Sequence, residues 1–115
     1  MNTEKIKKLN VKMIAHRGVS GLERENTAAA FVAAGNRSYY GIETDVHVTA
    51  DKKYIIIHDD DTVRVTGDSM TVEKTSMETL RSLRLLDKDG LRGRKDLVLP
   101  ELKEYTRICK KYGKV

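Results

Sequence analysis

Gly41-Ile42-Glu43-Thr44-Asp45-Val46 alternates strictly: Ile42, Thr44 and Val46 fall on one parity, Glu43 and Asp45 on the other. That is how a β-strand separates its two faces. Two carboxylates on one face repel unless a cation lies between them or both look into water. Both readings are open at this point, and which one holds decides what the chain can do.

Working outward, Val11 to Ala15 is a short apolar run that predicts a first strand, and it ends in His16-Arg17-Gly18. The strand tip therefore carries a titratable group and a cation. Gly18 to Arg24 reads as a polar loop, and Asn26 or Thr27 can cap a helix that opens on Ala28-Ala29-Ala30 and stops near Gly35-Asn36. Strand, helix and the Gly41–Val46 strand form a βαβ pattern, which predicts parallel pairing and a right-handed crossover. Between Val46 and the run Ile55-Ile56-Ile57 there are too few residues for a crossover helix, so a hairpin is expected. With Ala50 to Lys53 as its loop, Thr49 faces Tyr54 and Asp45 lies opposite His58, beside Glu43. A slip of one residue would undo that register.

The remainder carries less chemistry. Asp60 to Thr71 and Asp87 to Lys95 read as loops. Thr75-Ser76-Met77-Glu78 has capping-box spacing and predicts a short helix bearing Met77, Leu80 and Leu83. Pro100 is expected to begin a helix with Glu101 and Glu104 early and Lys110 and Lys111 late. Its buried stripe is Leu102, Tyr105, Ile108 and Tyr112, with Cys109 packed beside it. Lys114-Val115 falls where an α/β pattern would start its next strand. Two or three strands leave open edges, so the chain is expected to be a piece of a longer one, or to associate with itself through those edges.

Composition excludes several classes. At 115 residues with 39% hydrophobic content and one proline, the chain is at most one small ordered domain. The longest apolar run, Ala28 to Ala34, cannot span a bilayer, and residues 1–10 have cations without the apolar core of a signal peptide. Cys109, the single cysteine, cannot close an internal disulfide, and a reducing, cytoplasmic location is the expectation. The net charge of +5 suggests nucleic acid, but residues 42–79 carry nine Asp/Glu against four Lys/Arg. The basic surplus lies in the flanks, with little aromatic interleaving, so the flanks read as solvated faces, with phosphate attraction second, and nucleic acid is not the expected partner.

His16-Arg17-Gly18, Glu25-Asn26-Thr27-Ala28-Ala29-Ala30-Phe31, Ile42-Glu43-Thr44-Asp45-Val46-His47 and His58-Asp59 with Arg64, in this order, resemble the glycerophosphodiester phosphodiesterases. The family's fold is a (β/α)₈ barrel of about 250 residues. The resemblance thus implies an α/β chain holding the N-terminal part of such a barrel, with residues 1–115 a partial catalytic domain. Arg24 stands where the family usually has proline, which loosens that loop. The family's third acidic metal ligand lies on the strand after the last helix, so no residue here takes that role.

What the resemblance implies is a metal-dependent hydrolase that releases glycerol 3-phosphate and an alcohol. Glu43 and Asp45 become metal ligands, and oxygen-only ligands favour Mg²⁺ or Ca²⁺. Arg17 suits a phosphate oxygen, and His16 and His58 share acid and base duties. His47 is structural, Glu25 and Asn26 fix the first loop, and the run Asp59-Asp60-Asp61 is solvated. The rival reading is a non-catalytic remnant that binds a metal or a partner.

Overall fold

The computed structural model describes residues 12–115. The start of the first strand at Val11 and the expectation for residues 1–10 lie outside the described residues. The element order is β1 (Ile14–His16), α1 (Ala28–Gly35), β2 (Gly41–Glu43), β3 (Val46–Val48), β4 (Tyr54–Ile56), α2 (Val63–Thr66), a 3₁₀ turn (Val72–Lys74), α3 (Met77–Ser82) and α4 (Leu102–Lys111). The architecture is α/β, with two two-stranded sheets that do not close a barrel.

β1 and β2 pair in parallel, with Ala15 beside Ile42 and His16 beside Glu43, so the βαβ expectation holds. Thr27 caps the crossover helix by accepting the Ala30 N–H. α1 and α4 pack on these strands around Ala15, Phe31, Ala34, Ile42, Ile56 and Cys109, with Phe31 and Tyr105 edge-to-face at 5.0 Å. Cys109 is the buried residue of α4; Leu102, Tyr105 and Ile108 only half-cover this cluster. A second cluster holds Ile55, Ile57, Val65, Val72, Met77, Leu80, Leu85, Leu97 and Leu99. The run of three isoleucines is thereby explained: Ile56 serves one core and its neighbours the other, because β4 is covered on both faces.

Four expectations are corrected. The 41–46 stretch is not one strand: pairing stops after Glu43 and resumes at Val46, because Asn26 takes up the side chains of Thr44 and Asp45. The hairpin register is one residue shorter than expected, with Val48 beside Tyr54 and Val46 beside Ile56. Lys52 adopts φ +63°, the Thr49 N–H reaches the Lys53 carbonyl at 2.8 Å, and the Thr49 hydroxyl accepts the Lys53 N–H. Closing the loop on Thr49 and Lys53 puts Asp45 against Ile57, whose N–H it accepts at 3.1 Å, and not against His58. Pro100 is not the first residue of α4; Glu101 caps it in a capping box with Glu104, and the Pro100 carbonyl takes the Ile56 N–H at 2.9 Å. Residues 60–71 are not simply a loop, since α2 forms there around buried Val65 and Thr66. A smaller shift affects α3: its cap is Ser76, not Thr75, and Leu83 lies at its end.

Beyond β2, Val115 accepts the Ile42 N–H at 2.9 Å and donates to the Tyr40 carbonyl at 3.2 Å, the hydrogen-bond pattern of a parallel neighbour. At the start of β1, Met13 and Ile14 stand exposed. Among the described residues, no helix is long and apolar enough to cross a membrane.

Candidate active site

The site gathers where β1 and β2 end side by side. Arg17 and Gly18 both lie at positive φ, +56° and +78°, which turns the chain sharply after His16. Gly18 is required twice over: its φ disfavours side chains, and a Cβ there would sit 2.7 Å from the Ala30 backbone. The turn aims the Arg17 N–H at Glu43 Oε1 (3.2 Å) and lets the Arg17 carbonyl take the Asn26 N–H (2.9 Å). His16 Nε2 lies 4.0 Å from Glu43 Oε2.

The Arg17 guanidinium runs between two carboxylates. Its Nη1 donates to Glu25 Oε2 at 3.0 Å, and its Nε lies 3.5 Å from Asp45 Oδ2. That Nε is buried and makes no hydrogen bond, so its orientation is set by charge. Asn26, at φ +51° and buried, donates from Nδ2 to Asp45 Oδ2 (3.0 Å) and accepts the Thr44 hydroxyl on Oδ1 (2.9 Å). Asparagine tolerates this left-handed conformation better than most residues. Its short amide then spans the gap between the two half-strands.

His16, Arg17, Glu43 and Asp45 are thus brought together. His58 is not placed against Glu43 or Asp45; it follows β4 and reaches the cluster through intermediates. His58 Nδ1 lies 2.8 Å from Asp59 Oδ1, and Asp59 accepts from Arg64 Nε at 2.8 Å. Arg64 in turn donates from Nη1 and Nη2 to Glu25 at 2.7 and 2.9 Å. Asp59 is therefore ion-paired while still 28% exposed, whereas Asp60 is open to solvent as the acidic run predicts. His47 Nε2 meets the His58 carbonyl at 3.0 Å.

The electrostatics follow the contacts. Hydrogen bonds from Arg64, then from His58, hold the Asp59 carboxyl well below the usual carboxylate range. Those from Arg64 lower Glu25 as well, against its partial burial. The same two carboxylates hold the Arg64 guanidinium more firmly protonated. Below the site, the Tyr105 hydroxyl donates to the Ile42 carbonyl, and burial raises its pKa.

Among the described residues no three His, Cys, Asp or Glu side chains converge as a metal-holding group. The donors present are two carboxylates, Glu43 and Asp45, 38% and 25% exposed. By donor chemistry, two carboxylates suit a hard, oxygen-seeking cation such as Mg²⁺ or Ca²⁺.

Two contributors were underweighted in the sequence. Glu25 bridges Arg17 and Arg64, where only loop support was expected, and Arg64 had no role assigned. Nothing in local spacing marks a pairing 39 residues apart.

The glycerophosphoryl diester phosphodiesterase family profile matches residues 16–114. Mouse glycerophosphodiester phosphodiesterase 1 is 33% identical over 104 residues, covering 90% of this chain and 31% of its own length. The glycerophosphodiester phosphodiesterase of Caldanaerobacter subterraneus is 39% identical over 71 residues, covering 62% of this chain and 29% of its own. Among solved structures, an Oleispira antarctica phosphodiesterase in complex with the product sn-glycerol-3-phosphate superposes with a TM-score of 0.79 at 31% identity. That match covers 90% of this chain and 41% of the other. The chain spans about three-tenths of the length of these curated relatives, and its α/β architecture is part of the family's barrel. With the profile matched over nearly all its residues, the chain belongs to the glycerophosphoryl diester phosphodiesterase family.

Proposed function

We propose that residues 1–115 are part of one catalytic domain that hydrolyses glycerophosphodiesters to glycerol 3-phosphate and an alcohol. The observation that carries this is the meeting of His16, Arg17, Glu43 and Asp45 at the adjacent ends of β1 and β2. Residues at the C-terminal ends of barrel strands are where such folds do their chemistry. Arg17 offers a delocalised cation to a phosphodiester oxygen, restrained by Glu25 so that little ordering remains to be done on binding. Glu43 and Asp45 would hold the divalent cation, Mg²⁺ or Ca²⁺, which when bound would supply charge neutralisation for a phosphodiester. His16 and His58 divide the proton work: one takes the proton of the attacking hydroxyl or water, the other delivers one to the leaving alkoxide.

A small-molecule substrate suits this cluster better than nucleic acid, given the acidic residues 42–79. The buried thiol of Cys109 fits a reducing, cytoplasmic setting. The open edge of β1, with Met13 and Ile14 exposed at its start, offers a surface for self-association.

One observation favours a second reading. With two carboxylates and no third acidic ligand among the described residues, the chain taken alone would be a non-catalytic piece that binds a cation or a partner. The deciding measurement is glycerol 3-phosphate release from glycerophosphocholine and glycerophosphoethanolamine with Mg²⁺, Ca²⁺ or EDTA. Metal-dependent release that falls by orders of magnitude in His16→Ala and His58→Ala is the expected result. No release from soluble, folded chain supports the second reading, and release unaffected by both substitutions refutes the histidine roles.

A further inference from the structure

Arg64 stands outside the roles assigned above, yet it is the most fully engaged guanidinium of the site. It rides on α2, a single turn whose underside is fixed: Val65 and Thr66 are buried, and so is Thr62 just before it. The Thr66 hydroxyl donates to the Thr62 carbonyl at 2.9 Å, and the Thr62 hydroxyl to the Asp68 carbonyl at 2.5 Å. Arg24 Nη2 donates to the Arg64 carbonyl at 3.1 Å, pinning the backbone from the other side. From this platform Arg64 makes two forked contacts with carboxylates from different loops. Nη1 and Nη2 meet Glu25 (2.7 and 2.9 Å), and Nε and Nη2 meet Asp59 (2.8 and 3.1 Å).

A half-exposed ion pair by itself contributes little. What matters is where the far ends of these carboxylates lead. Glu25 Oε2 also receives Arg17 Nη1, and Asp59 Oδ1 also receives His58 Nδ1. Carboxylates only accept, so the proton in the His58–Asp59 contact sits on Nδ1. Which ring nitrogen carries the proton is set by the bond the other nitrogen makes. Asp59 is adjacent to His58 in sequence, with freedom to turn away, and Arg64 removes that freedom by holding both its oxygens.

We propose that Arg64 is a positioning residue that clamps Asp59 against His58, fixing the imidazole in its Nδ1–H form with Nε2 as the nitrogen that exchanges a proton with substrate. The same guanidinium, through Glu25, sets the Arg17 side chain. One residue thereby couples the loop after β1 to the loop after β4, which the hairpin register does not bring together. The meaning of Nε2 rests on the hydrolase reading; the tautomer itself does not.

The test is therefore spectroscopic. Long-range ¹H–¹⁵N spectra of the whole chain with ¹⁵N-labelled histidine, recorded where the imidazole is neutral, report which nitrogen is protonated. Wild-type His58 is expected as Nδ1–H, and Arg64→Gln shifts the ratio toward Nε2–H by about tenfold, the scale of losing one charge-assisted contact. Arg64→Lys, which cannot serve both carboxylates with paired bonds, shifts it partway and is read in the same way if Arg64→Gln does not fold. Wild-type His58 found as Nε2–H, or a ratio unchanged by substitution, overturns the proposal. A chain without turnover but with the expected tautomer shift leaves the clamp standing and refutes only the activity.

Discussion

Asn26 offers the sharpest test of how the site is held. It is buried, lies at φ +51°, and bridges Thr44 and Asp45 with two side-chain hydrogen bonds. Asn26→Ala loses both bonds and forces alanine into the left-handed region. The strain costs about 1 kcal/mol. The neutral bond to Thr44 contributes about 1 kcal/mol, and the bond to the Asp45 carboxylate roughly 1.5 before discounting for its partial exposure. Water can replace part of the latter, so the total is about 3 kcal/mol. For a domain of this size that is a large share of the roughly 5–15 kcal/mol that holds it folded. At a urea slope of about 2 kcal/mol/M the midpoint should fall by about 1.5 M. Asn26→Gly separates the causes, because glycine accepts the conformation freely; it should recover about 1 kcal/mol of the loss. Chemical denaturation followed by circular dichroism reads both. A loss below about 1 kcal/mol for Asn26→Ala, or a glycine variant no better than alanine, would refute the reasoning.

Three further outcomes follow from the same contacts. Gly41→Ala places a Cβ 2.4 Å from the Val115 carbonyl oxygen, so Val115 must leave the edge of β2. The Ile42 amide should then lose its hydrogen-exchange protection, and unchanged protection would contradict that pairing. Glu25 and Asp59 both have carboxyl pKa values lowered by Arg64 in the folded chain. As pH falls through about 4 the unfolded chain binds protons first, so their contribution is full above about pH 5 and is lost toward pH 2. Urea midpoints between pH 6 and pH 3 should fall less steeply in Arg64→Gln than in wild type, and equal slopes would remove this account. Asp45→Asn should weaken Mg²⁺ binding, measured by calorimetry, by at least about tenfold, since it removes half of the charge offered; equal affinity would mean Asp45 is not a ligand.

Much of the fold was legible because its signals are local. The apolar run ending in His16, the Thr27 cap and the Ala28–Gly35 helix announced the βαβ unit and its parallel pairing, while the register that sets His16 beside Glu43 came from the structure. The errors fell where a single backbone angle decides. Lys52 at φ +63° shortened the hairpin loop by one residue, which turned His58 away from Asp45. No rule of composition assigns a left-handed angle to a lysine. The break after Glu43 was hidden for a similar reason: Thr44 and Asp45 alternate like strand residues, and only Asn26, bonding from the preceding loop, draws them out of the ladder.

The sequence by itself determined the chemistry on offer: two carboxylates two positions apart, an arginine and a histidine at a strand tip, a second histidine after an apolar run, and the family to which that order belongs. The tertiary structure alone decided which charges meet. Asp45–Arg17–Glu25–Arg64–Asp59 alternates in sign across three loops and ends against the His58 imidazole, and its pairings span up to 39 residues of chain. Coulomb attraction acts over a few ångströms of space and takes no account of sequence separation. Such a network exists only once the strands have brought their ends together.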